Sequence, residues 1–191
     1  MINNAMGILI ASDSEIHMNE LTIKRTSASL PYGGRYRMID FALSNLVNSG
    51  ISTIGIVTRN NYNSLMDHLR MGRDWDLNRK NSGLTLFPPF AFNTLRDVYK
   101  GKVEAIYTLK GYMMSQKKLE YVVLGNANVI CNIDVEEIVD EHIARGADVT
   151  MLTKRTDEIG QGYRYPLCGY RQQIGGTRQH ADLRHQKRPA Y

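Results

Sequence analysis

At 191 residues, 42% of them hydrophobic, the chain suffices for one domain with a buried core, or for part of a larger one. Lys and Arg number 24 against 19 Asp and Glu, a net charge of +5; from Lys154 onward eight basic residues face three acids, so the preceding body is neutral and has no basic stripe for nucleic acid. No run of eighteen apolar residues occurs, and Met1 to Ile10 lacks the basic flank and cleavage site of a signal peptide, so neither a membrane nor export is expected and the setting is read as cytoplasmic.

Met6 to Ala11, a short apolar run, is the first predicted strand. Met38, Ile39, Ala42, Leu43, Leu46 and Val47 recur at three- and four-residue spacing, and Gly50 offers a left-handed stop, which predicts a helix over Met38 to Ser49. Thr53 to Thr58 (TIGIVT) reads as a strand and Tyr62 to Arg70 as a helix. Met71 to Gly83 is polar and glycine-punctuated, a surface excursion around Trp75, the single tryptophan. Leu84 to Phe87 is a short strand before Pro88, and Val103, Ile106, Tyr107, Met113 and Met114 set one apolar face on a helix from Lys102 to Gln116. Glu120 to Leu124 follows as a strand, Val135 to Arg145 as a helix and Ala147 to Thr153 as a strand.

This alternation predicts an α/β domain, a mostly parallel sheet flanked by helices. Beyond Arg155 neither a period of 2 nor of 3.6 is present, so residues 1–155 form the expected folded part and 156–191 an aperiodic, basic, poorly ordered tail. Cys131 and Cys168 fit no metal spacing and read as reduced thiols.

Asp134, Glu136, Glu137, Asp140 and Glu141 resemble a metal-binding cluster, but Asp134 is better placed as an N-cap, with Glu136 and Glu137 in the first helical turn. The five histidines, His17, His68, His142, His180 and His185, make no zinc pattern. In PYGGRYRMID, residues 31–40, a diglycine before a helix allows close backbone approach, and Arg35 and Arg37 are cations able to meet an anion. A tight turn with two solvated arginines accounts for the same spacing.

The longer stretch SLPYGGRYRMIDFALSNLVNSGI resembles the signature RAKPAVxFGGKxRxIDFxLSNxxNSGI of bacterial glucose-1-phosphate adenylyltransferases, also called ADP-glucose pyrophosphorylases. The similarity runs from about Gly7 to Leu69 and resumes over Tyr99 to Thr153. It implies a Rossmann-like, GT-A-type nucleotidyltransferase domain, and a family chemistry in which ATP and glucose 1-phosphate give ADP-glucose and pyrophosphate. Such chemistry needs backbone donors and cations around the triphosphate and a carboxylate-held magnesium.

Catalytic members supply these groups from a GGxGTRL loop, the lysine of RAKP and the aspartate of a GDH motif. Here the loop falls on Ser12, Asp13, Ser14, Glu15, Ile16, His17 and Met18, the lysine on Ser27 and the aspartate on Asn128; the adenine-contacting glutamine aligns near Phe90. Like charges about 4 Å apart near a protein surface repel by roughly 4 kcal/mol, so Asp13 and Glu15 are expected to reject a triphosphate. An Asn in place of an Asp offers magnesium one neutral oxygen, so no cofactor and no metal are expected.

Lys24 and Arg25 fall on the family's effector-responsive pair, and Gly33, Gly34, Arg35, Asp40, Ser44 and Asn45 are kept. Lys24, Arg25 and Arg35 are therefore candidates for binding a sugar-phosphate effector, and Gly33, Gly34, Asp40, Ser44 and Asn45 for scaffold, with a purely structural role for all of them as the competing reading. Signature kept and reactive groups lost is similar to the D-type subunit of heteromeric bacterial enzymes, which implies a non-catalytic regulatory subunit with a catalytic partner. An active nucleotidyltransferase with an atypical site and a nucleic-acid binder acting through the tail are the competing functions. Family members are considerably longer, so the resemblance also implies an incomplete, truncated or frame-disturbed domain with exposed, aggregation-prone sheet edges.

Overall fold

The computed structural model describes residues 4–11, 18–59, 61–79, 82–88, 101–116 and 118–153. Most lie in one compact unit, Met1–Val149; residues 150–153 belong to a second, Thr150–Tyr191.

In chain order the first unit contains β1 (Ala5–Ala11), a two-strand hairpin β2 (Pro31–Tyr32) and β3 (Tyr36–Arg37), and helix α1 (Met38–Asn48). Then come β4 (Thr53–Thr58), α2 (Asn63–Leu69) running into a 3-10 turn (Arg70–Trp75), and β5 (Gly83–Phe87). Two short helices, α3 (Lys102–Thr108) and α4 (Lys110–Ser115), precede β6 (Tyr121–Asn126) and α5 (Val135–Arg145). The main sheet has the order β5-β4-β1-β6 and every pairing in it is parallel. With helices on both faces this is a Rossmann-like α/β fold.

Side-chain alternation along β1 assigns the layers. Ala5, Leu9 and Ala11 join Ile39, Leu43 and Leu46 of α1, Leu65 and Leu69 of α2 and Val135 and Val139 of α5 in one core. Met6 and Ile8 turn the other way and meet Val57, Phe87, Ala105 and Leu109, under α3 and α4. Each fully buried Leu or Ile contributes about 1.5–3 kcal/mol, far more than any exposed helical pair, so these faces decide where each helix lies.

Handedness explains the change of side. From β1 to β4 to β5 the chain steps one way along the sheet, with α1 and α2 on one face; the return to β6 reverses the step, and a right-handed crossover must then run over the other face.

Two expectations are corrected. The predicted helix from Lys102 to Gln116 is broken at Leu109, whose N–H bonds to Ile106 and Tyr107 carbonyls while its side chain is fully buried. Thr108 Oγ1 donates to Ala105 O at 2.6 Å, a back-bond that bends helices, and Gly111 weakens the turn that follows.

The predicted strand over Ala147 to Thr153 does not form, and Val149 is 81% and Leu152 62% exposed. The reason is topological: α5 packs on the face of α1, so a parallel strand laid outside β6 through it would be a left-handed crossover. β6 is consequently an edge strand among the described residues, with Val122 and Leu124 of its second face about half exposed, at 45% and 52%.

Candidate functional site

β1 and β6 are neighbours at the point where the strand order reverses, β4 being reached from β1 over one face of the sheet and β6 from β5 over the other, and in open parallel sheets the crevice beyond the carboxyl ends at such a reversal is where ligands bind. The sequence-predicted loop Ser12, Asp13, Glu15 and His17 follows β1 directly and lies outside the described residues, as does Phe90. The two remaining altered positions meet. Ser27 sits in a buried 3-10 turn (Ser27–Ser29) on the chain returning from β1, and Asn128 sits two residues past β6. Asn128 Nδ2 donates to Ser27 Oγ at 3.1 Å.

The segment holding Asn128 is clamped on both sides. Ala127 N bonds to Ile10 O, extending the sheet by a rung, and Asn45 Nδ2 of α1 donates to Cys131 O at 2.9 Å. Val135 N, the first of α5, donates to Ser49 Oγ, while Asp134 caps that helix by accepting from Glu136 N. So the acidic stretch at Asp134 is helix-capping chemistry, and Asn45 is the α1 residue that fixes the strand-end loop.

The Asn128–Ser27 pair supplies no carboxylate for a magnesium ion. The Asn128 amide is committed to Ser27 through its donor nitrogen, and its one free oxygen carries no charge. Among the described residues no trio of His, Cys, Asp or Glu gathers there or elsewhere.

A second group forms around the start of α1. Gly33 and Gly34 make the hairpin turn with φ of +60° and +89°, a left-handed conformation that favours glycine, and place Arg35 at its end. Asp40 is the third residue of α1; its Oδ2 accepts from Arg37 N at 2.9 Å, and its Oδ1 lies 2.6 Å from His68 Nε2 of α2. Arg37 itself reaches Ser64 O and Oγ at 2.5 and 3.0 Å through Nη1, so it ties α2 to α1.

One turn along, Ser44 Oγ accepts from Trp75 Nε1 at 3.3 Å. Between these elements lies a pocket of about 310 Å³ walled by Tyr36, Phe41, Trp75 and His68, with Arg35 and Asp74 at the rim. The structure thus divides the kept residues: Asn45 serves the strand ends, while Arg35, Asp40 and Ser44 face the pocket. Lys24, exposed, and Arg25, half-buried, lie on the turn before Ser27, where Asn61 Nδ2 donates to Ile23 O at 3.0 Å.

His68 and Trp75 are invisible to motif reading, whereas Phe41 lies within the quoted signature but carries no sign of a pocket. Nothing in the sequence pairs His68 with Asp40, and the stretch around Trp75 reads as solvent-facing because its contacts are all tertiary.

A model of the nucleotidyl transferase family matches residues 7–163. The chain belongs to that family. It is 38% identical over 157 residues to the glycogen biosynthesis protein GlgD of Geobacillus stearothermophilus, a match covering 81% of this chain and 45% of the relative. A glucose-1-phosphate adenylyltransferase of the same organism is 34% identical over 151 residues, covering 79% and 39%. GlgD of Bacillus subtilis strain 168 is 36% identical, covering 78% and 43%. The chain therefore spans less than half the length of these relatives.

A crystal structure of a putative glucose-1-phosphate thymidylyltransferase from Bacillus anthracis, in complex with sucrose, superposes with a TM-score of 0.57 at 20% identity, covering 74% of this chain and 51% of the other. That likeness supports the nucleotidyltransferase fold.

Proposed function

We propose that this chain acts in glycogen biosynthesis as a regulatory, non-catalytic subunit of glucose-1-phosphate adenylyltransferase, working in the cytoplasm through a catalytic partner. The observation that carries the reading is the Asn128–Ser27 hydrogen bond. A transferase of this fold needs a cation and a metal-holding carboxylate at the strand ends; here the two aligned positions are neutral and bonded to each other. Supplying several kcal/mol of transition-state stabilisation requires charge at those positions, and each 1.36 kcal/mol forgone is about tenfold in rate.

The resemblance to GlgD supports the same reading, with Lys24 and Arg25 as the cations that meet a sugar-phosphate effector. The experiment is co-expression with a glucose-1-phosphate adenylyltransferase subunit, co-purification, and assay of pyrophosphate release with and without this chain. Co-purification with an altered rate or effector response supports it. A lack of any association, or turnover that persists when the partner is catalytically inactivated, contradicts it and favours the active-enzyme alternative.

A further inference from the structure

We propose that the pocket between the hairpin, α1 and the Trp75 turn binds a neutral saccharide of one to two rings. This inference is independent of the adenylyltransferase reading, since the pocket contains neither Ser27 nor Asn128.

Three features point to that ligand class. The first is the wall: Tyr36, Phe41 and Trp75 line it, Tyr36 and Phe41 in a tilted contact at 6.0 Å, so the apolar face of a pyranose ring finds aromatic surface to pack on.

Polar chemistry supplies the second feature. Ser44 Oγ accepts from Trp75 Nε1 and keeps its own O–H to give, whereas Asp74 at the rim is an acceptor and Arg35 a donor. A sugar hydroxyl both gives and takes hydrogen bonds, so it can meet each of these groups; a purely apolar ligand would strand them. Asp40 and His68 beneath are already engaged with one another, which keeps the floor of the pocket fixed.

The third feature is charge. Asp40 is paired with His68, which leaves Asp74 as the rim carboxylate against the guanidinium of Arg35, itself over the Tyr36 ring at 5.7 Å. The lining therefore carries no surplus of positive charge and offers a sugar phosphate no net attraction over the neutral sugar. A volume of about 310 Å³ is at the small end for ligand sites, which limits the occupant to one or two sugar rings.

Trp75 is the only tryptophan, so its emission reports on this pocket alone. Titration of the full chain with maltose is expected to give a saturable change with a Kd in the millimolar range, at least about tenfold tighter than for glucose 1-phosphate or inorganic phosphate. Phe41→Ala should weaken maltose binding by about tenfold. Asp74→Asn, at an exposed position that leaves the fold intact, should weaken maltose and narrow the gap to glucose 1-phosphate. Absence of a saturable response to maltose overturns the proposal, as does tighter binding of phosphate or glucose 1-phosphate, or a response unchanged in both variants. None of these outcomes bears on association with a catalytic subunit, so the two readings fail separately.

Discussion

Asn128 and Ser27, 101 residues apart in sequence, are joined by a 3.1 Å hydrogen bond between the end of β6 and the chain returning from β1. That bond closes a neutral bridge across the crevice where the fold otherwise gathers charge. Its strength is measurable. In a double-mutant cycle of Ser27→Ala and Asn128→Ala, followed by urea unfolding, the coupling is expected to be about 0.5–1.5 kcal/mol. Additive single effects would show that the two side chains do not depend on one another.

Asp40 joins two elements through different atoms, holding the α1 amino terminus through Arg37 N and α2 through His68. Asp40→Ala loses both and should cost about 2–3 kcal/mol of stability. Asp40→Asn, which can still accept from Arg37 N and donate to His68, should cost about 1 kcal/mol or less. Equal losses in chemical denaturation would refute the two-partner role.

Gly83 opens β5 with φ at +133°, and a Cβ there would lie 2.1 Å from the Leu77 carbonyl oxygen. Since the obstacle is backbone, no side chain can move aside. Gly83→Ala is expected to destabilise by about 3 kcal/mol or more, read as a lowered thermal midpoint. Gly101→Ala, with open space around it, serves as the tolerated control.

Asp134→Ala removes the side-chain acceptor for Glu136 N at the start of α5. A loss of about 1 kcal/mol is expected, with Asp134→Ser retaining most of it. The same variants should leave maltose-induced Trp75 emission unchanged, because α5 does not line that pocket.

The parts legible in the sequence were those whose cause is local. β4 matches to the residue because Ile54 to Val57 is apolar throughout and β-branched Thr53 and Thr58 close it at each end, and α5 likewise because Asp134 caps one end and Gly146, at φ +58°, the other. Gly50, at +84°, stops the approach to β4 as its position after the α1 periodicity implied. Elements that depend on distant partners were not legible. The hairpin β2–β3 is two residues a side, too short for any period, and the residues 147–153 alternate like a strand although α5 lies on the wrong face to deliver one.

The candidate site divides in the same way. Gly33, Gly34, Arg35, Asp40, Ser44 and Asn45 stood out as one contiguous motif, yet the fold sends Asn45 to the strand ends and Asp40 and Ser44 to a separate pocket. His68 and Trp75 complete that pocket from another helix and turn, with no spacing rule to link them.

Nucleotide binding by the purified chain is the most direct measurement: calorimetric titration with ATP in the presence of magnesium. No saturable binding is expected, because a neutral Asn–Ser pair and the acids of the preceding loop replace the charges a metal-bound triphosphate needs. Saturable, magnesium-dependent binding that is lost in Asn128→Ala would contradict this account and place an active nucleotide site at the ends of β1 and β6.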